Sequence, residues 1–191
     1  MRVFMKTILQ PHAFPEQIEG NRIILKKTSQ ALAREMYQNV NDDRARLREF
    51  LPWVDQTISV EDEIKYIQRA ELWWDERSTF QYGFFRKSDG VYLGNGGVHA
   101  VDWGNERLEI GYVVWQPYEG QGYISELVGL LEAVSFAAGF YRLEIRCDPK
   151  NIRSVSVAQR LGYQQEGHFR SHQVRGSQRR DTLIFAKLRN R

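Results

Sequence analysis

At 191 residues the chain is long enough for one substantial hydrophobic core, and its 42% hydrophobic and 27% charged residues are those of an ordinary soluble globular protein. The single cysteine, Cys147, excludes an internal disulfide framework and, with no cluster of further ligands, argues against a structural zinc site, so no metal is expected. Net charge is +3, and the excess is concentrated in Arg170, Arg175, Arg179, Arg180, Lys187, Arg189 and Arg191, against the single acid Asp181.

Residues 1–20 carry Pro11, Pro15 and Gly20 without a sustained period and read as an irregular lead-in; residues 21–191 read as one domain. The opening MRVFMKTILQPHAF lacks a small-residue cleavage site, and no apolar run is long enough to span a membrane, so the cytoplasm is the expected compartment. Asn21 to Lys27 is a short strand. Thr28 or Ser29 caps a helix with Leu32, Met36 and Val40 at fourfold spacing, and a second short helix covers Asp42 to Glu49. The proline of Leu51-Pro52-Trp53-Val54-Asp55 breaks that helix. Ser59 with Asp62 forms a capping box for a helix from Val60 to about Glu76.

From there the period changes to two. Phe80–Arg86, Tyr92–Val101 and Arg107–Val114, separated by SDG and DWGNE, form an antiparallel meander. An apolar strand then runs through Pro117, Gly120 and Gly122 into a helix with Ile124, Leu127, Val128, Leu131, Val134 and Ala138 at helical spacing. Tyr141–Cys147 is a strand, Asn151–Leu161 a helix that Gly162 terminates, and Tyr163–Gln173 and Thr182–Leu188 are closing strands. The sum is an α/β (α+β) fold: a mixed sheet with helices around it.

The strand-to-glycine-loop-to-helix junction is the candidate binding element. A helix begins with N–H groups that have no intrahelical partner and with partial positive charge, so a thin loop there suits a phosphate. No Gly-Lys-Ser/Thr follows Gly122, which excludes a phosphate-loop nucleotidase. A dinucleotide fold requires a third glycine where Ser125 stands, and the preceding meander counts against it, although Asp148 is placed to meet a ribose.

Tyr118-Glu119-Gly120-Gln121-Gly122-Tyr123-Ile124-Ser125 resembles the coenzyme A pyrophosphate loop of the GCN5-related N-acetyltransferases (GNAT), with Glu119 in place of Gln or Arg and Ile124 in place of Gly or Ala. Asn151-Ile152-Arg153-Ser154 with Arg160-Leu161-Gly162-Tyr163 is similar to the segment that closes the same fold. LPWVD at Leu51 and the ending Asp181 to Ala186 further resemble the subgroup that acetylates the N-termini of ribosomal proteins. The resemblance implies a mostly antiparallel sheet flanked by helices, with a cofactor cleft between the splayed fourth and fifth strands of the family's count. It implies acetyl-CoA as acetyl donor and the N-terminal amine of a protein as acceptor, a small amine of polyamine, aminoglycoside or amino-acid type being the alternative. Val113, Val114, Gln121, Gly122, Tyr123, Ile124, Ser125 and Asn151 would then hold the cofactor.

Many members place a tyrosine near the thioester sulfur where this chain has Ala158; the ribosomal subgroup has a serine one helical turn earlier, here Ser154, which becomes the candidate proton donor. Glu109 on the central strand is the leading candidate base, ahead of His172 and His99; Gln173 stands where the subgroup has a glutamate. Trp53, exposed by the proline turn, is the candidate acceptor contact. A homodimer is the expected oligomer. A binding module for RNA or the ribosome, using the basic C-terminal part, is a third reading, though no direct nucleic-acid contact is expected.

Overall fold

The computed structural model describes residues 14–189. Residues 1–13, most of the expected lead-in, and residues 190–191, with the basic Arg191, lie outside them. The strands are β1 (Gln17–Glu19), β2 (Ile23–Lys27), β3 (Phe80–Arg86), β4 (Tyr92–Asp102), β5 (Arg107–Val114), β6 (Arg142–Cys147), β7 (Gln164–Arg175) and β8 (Gln178–Leu188). The helices are α1 (Ala33–Asp42), α2 (Arg44–Leu47), α3 (Val60–Asp75), α4 (Tyr123–Ala137) and α5 (Ile152–Arg160). One sheet of order β1-β2-β3-β4-β5-β6-β8-β7 joins the eight strands. Every neighbouring pair is antiparallel except β5 with β6.

Strand alternation sorts the side chains onto two faces. On one, Phe80, Tyr82 and Phe84 of β3 and Leu108 and Ile110 of β5 join Leu127, Val128 and Leu131 of α4 and Val157 and Ala158 of α5. Lys187 ties these two helices, donating to Glu132 of α4 and to the Leu161 carbonyl just past α5. On the other, Phe85 and Val113 face Met36 and Val40 of α1 and Ile67 of α3, with Tyr92 and Trp115 fully enclosed. Ser59 caps α3 as expected, accepting from the Asp62 N–H at 3.2 Å, while Asp62 takes the Ile58 N–H and the Ser59 hydroxyl. The Ser59 hydroxyl, then the Ile58 N–H, hold the Asp62 carboxyl below its usual range.

Three elements differ from the sequence expectation. Neither Thr28 nor Ser29 caps the first helix: a short 3-10 turn, Gln30–Leu32, follows Ser29 without a side-chain capping bond, and α1 begins only at Ala33. Gln17–Glu19, inside the expected irregular lead-in, is a three-residue edge strand paired with β2 and burying Ile18; so short a strand leaves no readable period. It shifts the family's count by one, so the splayed pair is β5 and β6. The last hairpin extends to Arg175 and resumes at Gln178, beyond the expected strand ends, because backbone pairing continues through polar residues that carry no apolar alternation.

The glycines of β4 let the neighbouring chain come close to it. A Cβ on Gly97 would run into the Phe80 carbonyl oxygen of β3 and come within 3.1 Å of the Gln81 Cα. Replacing Gly97 with Ala is expected to cost about 1–3 kcal/mol, the usual penalty of overpacking, read as a lower urea midpoint; an unchanged midpoint contradicts the close approach. On α3, burial and then the adjacent Asp62 push the Glu63 carboxyl from 4.5 up to about 7. A raised folded-state value means stability present at low pH and lost as pH climbs from 4.5 through about 7. Glu63→Gln should therefore flatten that fall and stabilise the protein at pH values above it by a few kcal/mol, as measured by denaturation at a series of pH values; an unaltered pH profile contradicts it.

Candidate functional site

The parallel register of β5 and β6 covers only Arg107 with Arg142, Leu108 with Leu143, and Glu109 with Glu144. Beyond Glu109 the strands diverge, so the rest of β5 keeps its β4 ladder on one edge and has no β6 partner on the other. A cleft of about 520 Å³ opens there. Its walls are Tyr112, Val113 and Val114 of β5, Tyr118 to Gly120 with Gly122 of the loop, the first turn of α4, α5 from its cap Asn151 onward, and, at and after the end of α2, Arg46, Leu47 and Glu49 to Leu51.

The loop takes its shape from two glycines. Gly120 and Gly122 have φ of 72° and 79°, a left-handed conformation that costs a residue with a Cβ about 1–2 kcal/mol. Gly122 is the N-cap of α4 and its carbonyl accepts from Glu126, so the N–H groups of Tyr123, Ile124 and Ser125 have no partner within the helix. Tyr123, Ile124 and Ser125 line the cleft at this point, and Arg160 of α5 donates to the Ser125 hydroxyl at 3.2 Å. Arg22 holds the loop from behind, donating to the Gln121 carbonyl at 2.9 Å and pairing with Glu126. These thin, amide-rich surroundings and the arginines fit a pyrophosphate.

Glu119, an acid at the mouth of such a site, is neutralised. It pairs with Arg46 at 2.6 Å and with Arg153 at 3.2 Å. Arg46 also pairs with Asp43 and donates to the Val114 carbonyl at the end of β5. Burial works against the Arg46 charge, but Asp43 and Glu119 beside it raise its pKa above the ordinary value.

At the inner end of the cleft, Asn151 caps α5 by accepting the Ser154 N–H at 3.2 Å. The Ser154 hydroxyl lies 2.9 Å from the Tyr112 hydroxyl. Burial is the main cause of a strong rise in the Tyr112 pKa, which Ser154 partly offsets, so the phenol stays neutral. Burial also pushes the Cys147 thiol up to about 11, which keeps it out of its nucleophilic form. Ala158 is fully buried, and the phenol reaching Ser154 comes instead from the strand side. Sequence reasoning passed over Tyr112; the signal available was a tyrosine on the strand beside the glycine loop, with its partner 42 residues away.

The remaining expected residues are spread out. Val113, Val114 and Asn151 line the cleft; Gln121 stands in the loop with its side chain donating to the Pro117 carbonyl. Glu109 lies on the opposite face of β5 from Tyr112, held by His99 at 3.5 Å and Arg146 at 3.3 Å, so the strand itself stands between it and Ser154. His172 contacts the Thr182 hydroxyl and Gln173 accepts from Arg175. Trp53 is partly exposed in the turn after the cleft wall, and it is Phe50 and Leu51 that line the cleft. The other tryptophans pack elsewhere, Trp74 against Phe80 and Tyr82, Trp103 against Phe140.

Comparison with known proteins bears on the whole arrangement. Residues 22–164 match the model of the acetyltransferase (GNAT) domain. The chain is 23% identical over 175 residues to the uncharacterized N-acetyltransferase YoaA of Bacillus subtilis, covering 91% of this chain and 97% of that protein. It is 24% identical to the ribosomal-protein-serine acetyltransferase of Escherichia coli K12, over 81% of this chain and 86% of that protein. Among solved structures, RimL, a ribosomal L7/L12 alpha-N-protein acetyltransferase in complex with coenzyme A, superposes with a TM-score of 0.86 at 23% identity, covering 91% and 98% of the two chains. The microcin C7 self-immunity acetyltransferase MccE, in complex with acetyl-CoA and AMP, superposes with a TM-score of 0.87 at 19% identity, covering 93% and 99%. The cleft, its glycine loop and the family match agree, and the chain belongs to the GNAT acetyltransferase family, whose members take the acetyl group from acetyl-CoA.

Proposed function

We propose that this acetyltransferase acts on the N-terminal amine of a protein, with a ribosomal protein as the substrate class suggested by the names of its relatives. The observation that carries the reading is the charge of the cleft. Its lining includes the acids Glu49 and Glu119 against Arg46, Arg153 and Arg160, and Glu119 is already paired twice. A polyamine requires the reverse. Of the acids that left such a pocket open, Asp43 is buried beside Arg46 and Asp55 pairs with Arg48.

Acetyl-CoA supplies an acyl group activated as a thioester. Ser154 is the group that protonates the departing sulfur, and Tyr112, at 2.9 Å, donates to Ser154 in turn, the more acidic phenol backing the weaker alcohol. Glu109 takes the proton from the incoming ammonium through water, reaching the end of the parallel pairing from the far face of β5. Its neighbours His99 and Arg146 hold the carboxylate in place. The amides at the start of α4 take the pyrophosphate, and the unpaired edge of β5 takes the pantetheine amides.

The reading is tested by thiol release from acetyl-CoA with matched sets of N-terminal peptides and small amines: peptide-dependent release is expected, and release with small amines alone contradicts it. Ser154→Ala and Tyr112→Phe should each lower kcat by roughly 100-fold, the lower range for a positioned acid, with acetyl-CoA affinity nearly unchanged. Because the two act as one unit, the double variant should be hardly slower than either single one; full activity of Tyr112→Phe removes the phenol from the proton path. Gly122→Val, which forces a branched residue into the left-handed region, should weaken acetyl-CoA binding at least about tenfold by calorimetry, given a cost of about 1–2 kcal/mol for that conformation. Wild-type affinity in that variant refutes the loop assignment.

A further inference from the structure

A second charged cluster lies where the β7–β8 hairpin passes the end of β6. Arg180 donates through Nε to Asp148 at 2.7 Å, and the two side chains are only 12% and 13% exposed. Its Nη2 is buried and has no hydrogen-bond partner among the described residues. Arg175 donates through Nη2 to the Gln173 side-chain oxygen at 2.6 Å and to the Phe50 carbonyl at 3.2 Å. The Arg180 guanidinium stands 5.8 Å from the centre of the Phe50 ring. Burial lowers the Arg175 pKa; Asp148 opposes that fall and Arg180 adds to it.

Arg180 bonds the Asp148 carboxylate, while Arg175 feels that charge at longer range and bonds neutral oxygens, leaving a net positive charge and an unpaired donor in a poorly hydrated place. Such a donor carries its desolvation cost until an acceptor meets it, and charged partners meet it best. The cluster adjoins the reacting end of the cleft. Asp148 directly follows Cys147, its carbonyl accepts the Asn151 N–H at 2.9 Å, and Asn151 caps the turn that carries Ser154. Phe50, which meets both arginines, lines the cleft itself.

The geometry points to Arg175 and Arg180 as an anion subsite for the acceptor: the amine that is acetylated belongs to a molecule bearing a carboxylate or phosphate close by. This rests on the proposal above that the protein acetylates an amine, with Ser154 at the reacting end of the cleft. The planar fork of a guanidinium matches either oxyanion through parallel hydrogen bonds. In a protein acceptor the oxyanion is an acidic side chain within the first few residues; in a small amine it is the molecule's own carboxylate or phosphate.

The test separates binding from turnover. Short peptides differing only in an acidic, neutral or basic second and third residue, and small amines with and without a carboxylate or phosphate, are titrated into enzyme saturated with coenzyme A; their acetylation is then followed by thiol release. Acidic acceptors should bind roughly 10- to 100-fold tighter than neutral ones, the worth of one charge-assisted hydrogen bond. Arg175→Gln and Arg180→Gln should each shrink that ratio. A merely structural role would weaken all acceptors alike and leave the ratio untouched. Preference within the peptide set identifies an acidic N-terminal segment, and preference within the amine set identifies a small anionic amine. Equal binding of acidic and neutral acceptors in both sets, or a preference that survives in the double variant, overturns the subsite. Preferential binding of acidic peptides with no acetylation of any peptide would keep the subsite and remove the peptide-acceptor activity instead.

Discussion

Three residue pairs of parallel ladder decide where chemistry happens in this protein. β5 and β6 pair from Arg107 to Glu109 and then separate, and the crossover through α4 carries the glycine loop to the mouth of the gap so formed. Had the pairing continued, the backbone groups of Ile110 to Val114 would be saturated and the cleft filled. Because it stops, a strand edge and an uncapped helix start face the same space, one suited to amides and the other to a phosphate. The two apolar clusters on either face of the sheet keep these walls fixed, one through α4 and α5, the other through α1 and α3.

Charge is arranged around that gap to suit anions. The acid at the loop, Glu119, departs from the family's usual Gln or Arg, yet Arg46 and Arg153 hold it in ion pairs with both sides of the cleft mouth. Arg46 does more than neutralise: by gripping Asp43, Glu119 and the Val114 carbonyl it locks α2 to the end of the central strand. At the opposite end Arg175 and Arg180 repeat the theme with fewer acids. The neutral thiol of Cys147 and the neutral phenol of Tyr112 lie between these charged ends, at the place proposed for protonation of the departing sulfur.

Local signals in the sequence account for much of this. The ends of β3 and β5 coincide with the period-two runs Phe80–Arg86 and Arg107–Val114, because turn residues bracket both, and the Ser59 cap and the Gly122 helix start follow from short-range chemistry. The GNAT fold itself was readable because two motifs stand in the right order. What could not be read were partnerships across long stretches of chain. Tyr112 with Ser154, Arg46 with Glu119, and Arg175 with Phe50 are separated by 42, 73 and 125 positions, and no periodicity encodes which side chains meet after the chain has folded back. Trp53 shows the same limit: the proline turn does expose it, but the cleft wall is made by Phe50 and Leu51 just before it. β1 and the far half of the closing hairpin are held by backbone pairing, which leaves little trace in residue type.

The claim on which the rest turns is that the β5–β6 gap and the glycine loop together receive acetyl-CoA. Amide hydrogen exchange followed by mass spectrometry, with and without acetyl-CoA, addresses it directly. Segments covering Ile110 to Val114 and Gln121 to Ser125 should gain protection as the cofactor occupies the unpaired strand edge and the start of α4, while β1 and β2 stay unchanged. Protection gained elsewhere, with these two segments exchanging as fast as before, would contradict the account.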